Sequence, residues 1–111
     1  MPERRDLKRY RKRLQLRYGP DGPSRIGFTE DLSDTGIFLR STIVHNPNTV
    51  LQVCMNVAGQ QDVIFRGRVM WARRVPANLM NKVKGGMGVH ILSFSKGEDT
   101  YRTLLDRMAK K

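Results

Sequence analysis

Leu51-Gln52-Val53-Cys54-Met55-Asn56-Val57, then Ala58-Gly59-Gln60-Gln61-Asp62, then Val63-Ile64-Phe65-Arg66-Gly67-Arg68-Val69-Met70-Trp71-Ala72-Arg73 is the stretch that decides the fold. In its first part Leu51, Val53, Met55 and Val57 alternate with Gln52, Cys54 and Asn56. A period of two sends successive side chains to opposite faces, so residues 51–57 read as a half-buried strand. The Gly-containing segment 58–62 turns the chain back. Residues 63–73 are the longest strand candidate. Gly67 in its interior, with no side chain to pack, marks a bulge or a barrel bend.

The same period recurs on the N-terminal side. Leu14, Leu16 and Tyr18 alternate with Arg13, Gln15 and Arg17. Gly19-Pro20-Asp21-Gly22-Pro23 is a turn, because proline presets φ and glycine admits φ > 0. Strands are expected at 25–30 and 37–41, with a further turn at His45-Asn46-Pro47-Asn48. On the C-terminal side, 75–84 reads as a loop with room for one helical turn, and 87–92 as the last strand. The period then changes. Tyr101, Leu104, Leu105 and Met108 fall at i, i+3, i+4 and i+7, one face of a helix over about 96–109. Ser95-Lys96-Gly97-Glu98 fits a capping box at its start, and Lys110 and Lys111 suit the negative end of its dipole. Six strands followed by one amphipathic helix define a mainly all-β domain over 13–111. Residues 1–12 show neither period and are expected to form a mobile basic arm.

The length of 111 residues sets a single domain with a small core. A compact barrel or sandwich fits it better than a layered enzyme fold. No apolar run approaches the roughly 20 residues of a spanning helix. The chain is charged from Glu3 onward with no apolar stretch behind, so no secretory signal is expected. Cys54 is the sole cysteine, which excludes an internal disulfide and suits a reducing, cytoplasmic setting. The formal net charge is +11, and residues 1–17 hold six Arg and two Lys against Glu3 and Asp6. Such a field attracts phosphates, nucleic acid or acidic lipid without choosing among them. His45 and His90 have no Cys or carboxylate at metal-ligand spacing. No nucleophile–base pair, metal set or phosphate-cradling loop is present, so neither an enzyme nor a cofactor is expected. Met55, Met70, Met80, Met87 and Met108 read as packing.

Two short motifs remain. Arg5-Asp6-Leu7-Lys8-Arg9 places two arginines four apart, and Asp31-Leu32-Ser33-Asp34-Thr35-Gly36 follows some twenty residues later. In this order, ahead of a short all-β pattern, they resemble the signature of the PilZ domain, R-x-x-x-R followed by D/N-x-S-x-x-G. The run Arg13-Leu14-Gln15-Leu16-Arg17-Tyr18 and the segment Gly86-Met87-Gly88-Val89-His90-Ile91 extend the likeness to the family's first and late strands. One departure is Tyr10-Arg11-Lys12-Arg13 after the second arginine, where family members often continue with apolar residues and proline.

The resemblance implies a six-stranded antiparallel β-barrel with a C-terminal helix, and a bacterial receptor for the second messenger cyclic di-GMP that signals to a downstream protein. It implies ligand contacts from Arg5 and Arg9, with Arg4 auxiliary. Guanidinium suits that ligand, since its planar fork can bond phosphate or the O6/N7 edge of guanine and its face can stack on a base. Asp31 can take guanine donors, orient an arginine of the arm, or close its own turn. Ser33 offers a hydroxyl to phosphate or to the turn. Gly36 serves φ > 0 or a close approach to the ligand. Trp71, amid Arg66, Arg68, Arg73 and Arg74, either stacks on guanine or packs at the barrel rim. The rival readings are a basic barrel for single-stranded nucleic acid and a protein-only adaptor. The first is disfavoured because Phe65 and Trp71 are the only good aromatic pair, the second because no signature position is missing.

Overall fold

A computed structural model describes residues 8–79 and 81–110. The strands are β1 (Tyr10–Arg11), β2 (Gln15–Gly19), β3 (Arg25–Leu32), β4 (Gly36–Arg40), β5 (Val50–Met55), β6 (Val63–Arg73) and β7 (Gly86–Lys96), followed by helix α1 (Glu98–Ala109). A short 3-10 turn, Ala77–Leu79, lies in the loop before β7. All pairings are antiparallel, in the order β1-β3-β2-β5-β6-β7-β4. Pairing of β3 with β4 closes β2–β7 into a six-stranded barrel, with β1 as an extra strand on β3. Closure pairs the strand edges around the barrel, and the stretch of β3 that extends beyond β2 is capped by β1.

Alternation along the strands fills the barrel. Leu51, Val53 and Met55 of β5 point inward and are fully buried, as are Leu16 and Tyr18 of β2. Leu32, Ile37, Leu39, Phe65, Val69 and Met87 complete the interior. Helix α1 closes one end with Tyr101 and Leu105. Burying Leu105 alone stabilises by about 1.5–3 kcal/mol. The expected bulge at Gly67 is present as a register shift between Arg66 and Gly67, where a Cβ would run into the side chain of Val89.

Four details differ from the sequence reading. Tyr10 and Arg11, within the segment expected to be a mobile arm, pair with Leu32 and Asp31. They are fixed because β1 continues the line of β2 along β3. The buried Thr29 hydroxyl bridges the irregular 12–14 segment between them, accepting from Leu14 N at 2.8 Å and donating to Lys12 O. Residues 1–7 of that arm lie outside the described residues. Second, β7 runs on to Lys96, because its distal half pairs with β6 while exposing Leu92, Ser93 and Ser95, which hides the apolar alternation. Third, the capping box is not formed. Ser95 is still in β7 and donates to Ile64 O at 3.4 Å, and α1 starts from Gly97 in the left-handed region, φ 79°. Glu98 and Asp99 still complement the helix dipole in the first turn. Fourth, Met70 does not pack inside. It is the extra residue of a bulge between Val69 and Trp71 and is 55% exposed.

Candidate functional site

The 31–36 motif is the tight connection between β3 and β4. Ser33, only 1% exposed, builds it from within. Its N–H donates to Gly36 O at 2.9 Å, and its Oγ accepts from Thr35 N at 3.3 Å and Gly36 N at 3.1 Å. A short hydroxyl three residues ahead of the returning strand can reach both amides, which a longer side chain could not do. Gly36 does not have positive φ; what requires glycine here is the close approach of β4 to β7, and the residue also lines the cleft described below. Its Cβ would lie 2.5 Å from Val89 O, because β4 starts hard against β7. Of the two readings of Ser33, the hydroxyl's observed partners are those of the turn.

The turn is also clamped from outside. Tyr101 of α1, fully buried, donates its hydroxyl to Ser33 O at 2.6 Å. Burial pushes the Tyr101 phenol well above the ordinary tyrosine range, so it remains a donor at any working pH. Arg102, next along α1, donates to Asp34 O at 2.8 Å, and Ile91 N of β7 donates to Thr35 O at 2.8 Å. Three turn carbonyls are therefore each held by a different residue. Nothing in the sequence pairs Tyr101 with a residue 68 positions earlier. The helical stripe identifies Tyr101 as a core residue but is silent on its hydroxyl.

With the Ser33 hydroxyl committed to the turn, Asp31 presents its carboxylate to the cleft, which Gly36 also lines. Arg9 reaches it from beside β1, placing Nε at 2.8 Å and Nη2 at 2.6 Å from the same Oδ1. The register of β1 on β3 brings this about, since Arg11 stands opposite Asp31 and Arg9 lies just beyond Tyr10. Arg9 stays about half exposed and Asp31 is one-fifth exposed. Of the sequence's candidates, the structure thus joins Arg9 to Asp31. Arg4 and Arg5 lie outside the described residues.

Arg9 and Asp31 form one wall of a cleft of about 370 Å³ on the outer face of β4, β7 and β6. Trp71 is the opposite wall, 46% exposed, which removes it from the core. Phe38 of β4 and Trp71 of β6 both stand opposite Gly88 of β7. Their ring centroids are 5.2 Å apart and the planes tilt by 54°, a favourable geometry for aromatic pairs. Gly88 makes room for this, because a Cβ there would collide with the indole Nε1. Met70 and His90 also line the cleft. Sequence reasoning missed Phe38, Met70, Gly88 and His90. Their signal is the spatial pairing of strands far apart in the chain, which a periodicity does not carry. The described residues contain no group of three His, Cys, Asp or Glu placed to hold a metal.

A second polar cluster lies at the other flank of β3. Glu30 takes Lys84 Nζ at 2.6 Å and Arg11 Nη2 at 3.1 Å, with Arg40 Nη1 at 3.7 Å. The Lys84 hydrogen bond, reinforced by the positive charge of Lys84, Arg11 and Arg40, holds the Glu30 carboxyl below the usual carboxylate range. It ties the loop before β7 to β3 and plays no part in the cleft.

The fold and the comparisons with known proteins agree. The PilZ domain family profile matches residues 3–110, and the chain belongs to that family. The family is one of binding and adaptor domains in cyclic di-GMP signalling. Among solved structures, the chain is similar to the Bacillus subtilis inhibitor of motility, MotI/DgrA, at 14% sequence identity and a TM-score of 0.75. The likeness covers 99% of this chain and 54% of that one, so the chain spans about half the length of its structural neighbour. No curated protein matches. No helix among the described residues is long and apolar enough to cross a membrane.

Proposed function

We propose that the chain is a cytoplasmic receptor that binds cyclic di-GMP in the Arg9–Asp31–Trp71 cleft and relays its occupancy to a protein partner. The observation that carries this reading is the placement of a half-exposed guanidinium–carboxylate pair opposite an exposed indole on one concave face. Arg9 bonds Asp31 through Nε and one Nη2 proton, which leaves Nη1 for a phosphate. The Asp31 Oδ2 atom accepts no bond among the described residues and suits the N1–H and N2–H₂ edge of a guanine. Trp71, tilted against Phe38, offers a face for stacking a base, worth roughly 1–3 kcal/mol. The cleft is small for a whole dinucleotide. The N-terminal segment with Arg4 and Arg5 completes the grip by folding over the ligand, and that closure is the relay.

Calorimetry with cyclic di-GMP tests the reading. A charge-assisted contact contributes roughly 1.5–3 kcal/mol, so Arg9→Ala is expected to weaken binding about tenfold or more. Asp31→Ala should do the same. Wild-type affinity in both variants would remove this cleft from the reading. An oligothymidylate bound tightly at physiological salt, with no dinucleotide binding, would replace it by the nucleic-acid reading.

A further inference from the structure

We propose that the outward face of β2, β5, β6 and β7 docks an acidic protein surface, and that this is where the receptor's partner binds. The face is built around three arginines. Arg66 stands opposite Gln52 of β5 and Ser93 of β7, Arg68 opposite Val50 and His90, and Arg17 of β2 opposite Cys54. All three are exposed. Among the described residues none of them has a carboxylate within salt-bridge distance, a state they share with Arg13, Arg25, Arg73, Arg74 and Arg107; what sets these three apart is that strand register gathers them on one sheet face. Arg66 and Arg68 are two apart on one strand face, roughly 7 Å along the strand. Like charges held so close repel modestly even when solvent-exposed, and an anionic counter-surface turns that repulsion into attraction.

The composition of the face selects a protein over other polyanions. Its central cations are arginines, with Lys96 only at the margin, and they are flanked by Met70 at 55% exposure and Leu92 at 36%. Arg and Met are enriched in protein interfaces and Lys is depleted. Single-stranded nucleic acid would need aromatic platforms between the charges, and the central rows of this face have none. Trp71 is engaged in the cleft. Carboxylates at i and i+4 of a helix lie about 5–6 Å apart, close to the spacing of the arginines.

The face is also continuous with the cleft. His90 lines the cleft and pairs with Arg68, and Met70 lines the cleft from the β6 bulge. A partner seated on the arginines would therefore border whatever fills the cleft. As the output of a cyclic di-GMP receptor the proposal rests on the reading above, but the surface itself does not.

The test uses the full chain and a labelled synthetic helix with Glu at i and i+4 on one face and Leu beside them, followed by fluorescence anisotropy at physiological salt. Arg66→Glu and Arg17→Glu are each expected to weaken peptide binding about tenfold or more. Lys110→Glu, the same charge change on α1, should alter it less than about twofold, and cyclic di-GMP affinity should be unchanged in Arg66→Glu. The proposal is overturned if the peptide does not bind, if Lys110→Glu weakens it as much as Arg66→Glu, or if an oligothymidylate or phosphatidylglycerol vesicles bind more tightly through the same arginines. Arg66-dependent peptide binding in a protein that ignores cyclic di-GMP would uphold the surface and remove the ligand reading.

Discussion

The two halves of the signature sit in different mechanical settings. The 31–36 turn is packed from inside by the Ser33 hydroxyl and from outside by Tyr101, Arg102 and Ile91. Arg9 extends from a two-residue strand, is half exposed, and is tied to the barrel by one ion pair. In the proposed receptor, a fixed half and a loosely held half divide the work of binding. The turn spends its ordering free energy during folding and presents Asp31 already placed. The arginine side can be rearranged cheaply, since an exposed ion pair contributes only about 0–1 kcal/mol. Under the proposed reading, selectivity resides in the rigid half and the response to ligand in the adjustable one.

The comparison breaks first at Tyr101. Tyr101→Ala removes a buried aromatic from the α1–barrel contact and is expected to cost about 3–5 kcal/mol by urea unfolding. Tyr101→Phe keeps the ring and strands the Ser33 carbonyl, costing about 1–3 kcal/mol and weakening cyclic di-GMP binding by loosening the turn. Unchanged affinity in Tyr101→Phe would mean the clamp does not matter to the site. Trp71→Ala belongs to the opposite case. Ligand binding should fall by roughly 1–3 kcal/mol, while the cooperative thermal transition survives because the ring is half outside. Loss of that transition would return Trp71 to the structural framework.

The smallest effect lies at Glu30, away from both halves. Its carboxyl titrates below its ordinary range in the folded state, so its contribution to stability is present above the unfolded-state pKa and fades as pH falls through the folded one. Glu30→Gln should therefore lower the melting temperature at neutral pH, with the gap to wild type closing toward acid pH. A gap that is constant with pH would show that the ion cluster is not its source. Ligand affinity should not change.

Most of the barrel was legible because alternation at 14–18, 51–55 and 63–69 has one buried face and one wet one. What was not legible depended on pairing across the chain. Tyr10 and Arg11 are too few to show a period and are strand only because β3 offers them an edge. Ser95 and Glu98 carry the right spacing for a capping box, yet the pairing of β7 with β6 continues past Ser95 and wins. Met70 is apolar and was expected inside, but the bulge at its position turns it out. For the site, Asp31 and Arg9 were visible as residue types. Their union, the Phe38–Trp71 pair over Gly88 and the Tyr101 clamp required strand register and the docking of α1.

Hydrogen exchange followed with and without saturating cyclic di-GMP tests the division between the halves most directly. The amides of Ser33, Thr35 and Gly36, all bonded within the turn, should be protected to the same degree in both states. Amides of residues 5–12 should exchange more slowly once ligand is bound. Ligand-dependent protection of the turn, or unchanged exchange over residues 5–12 with binding confirmed by calorimetry, would contradict the account.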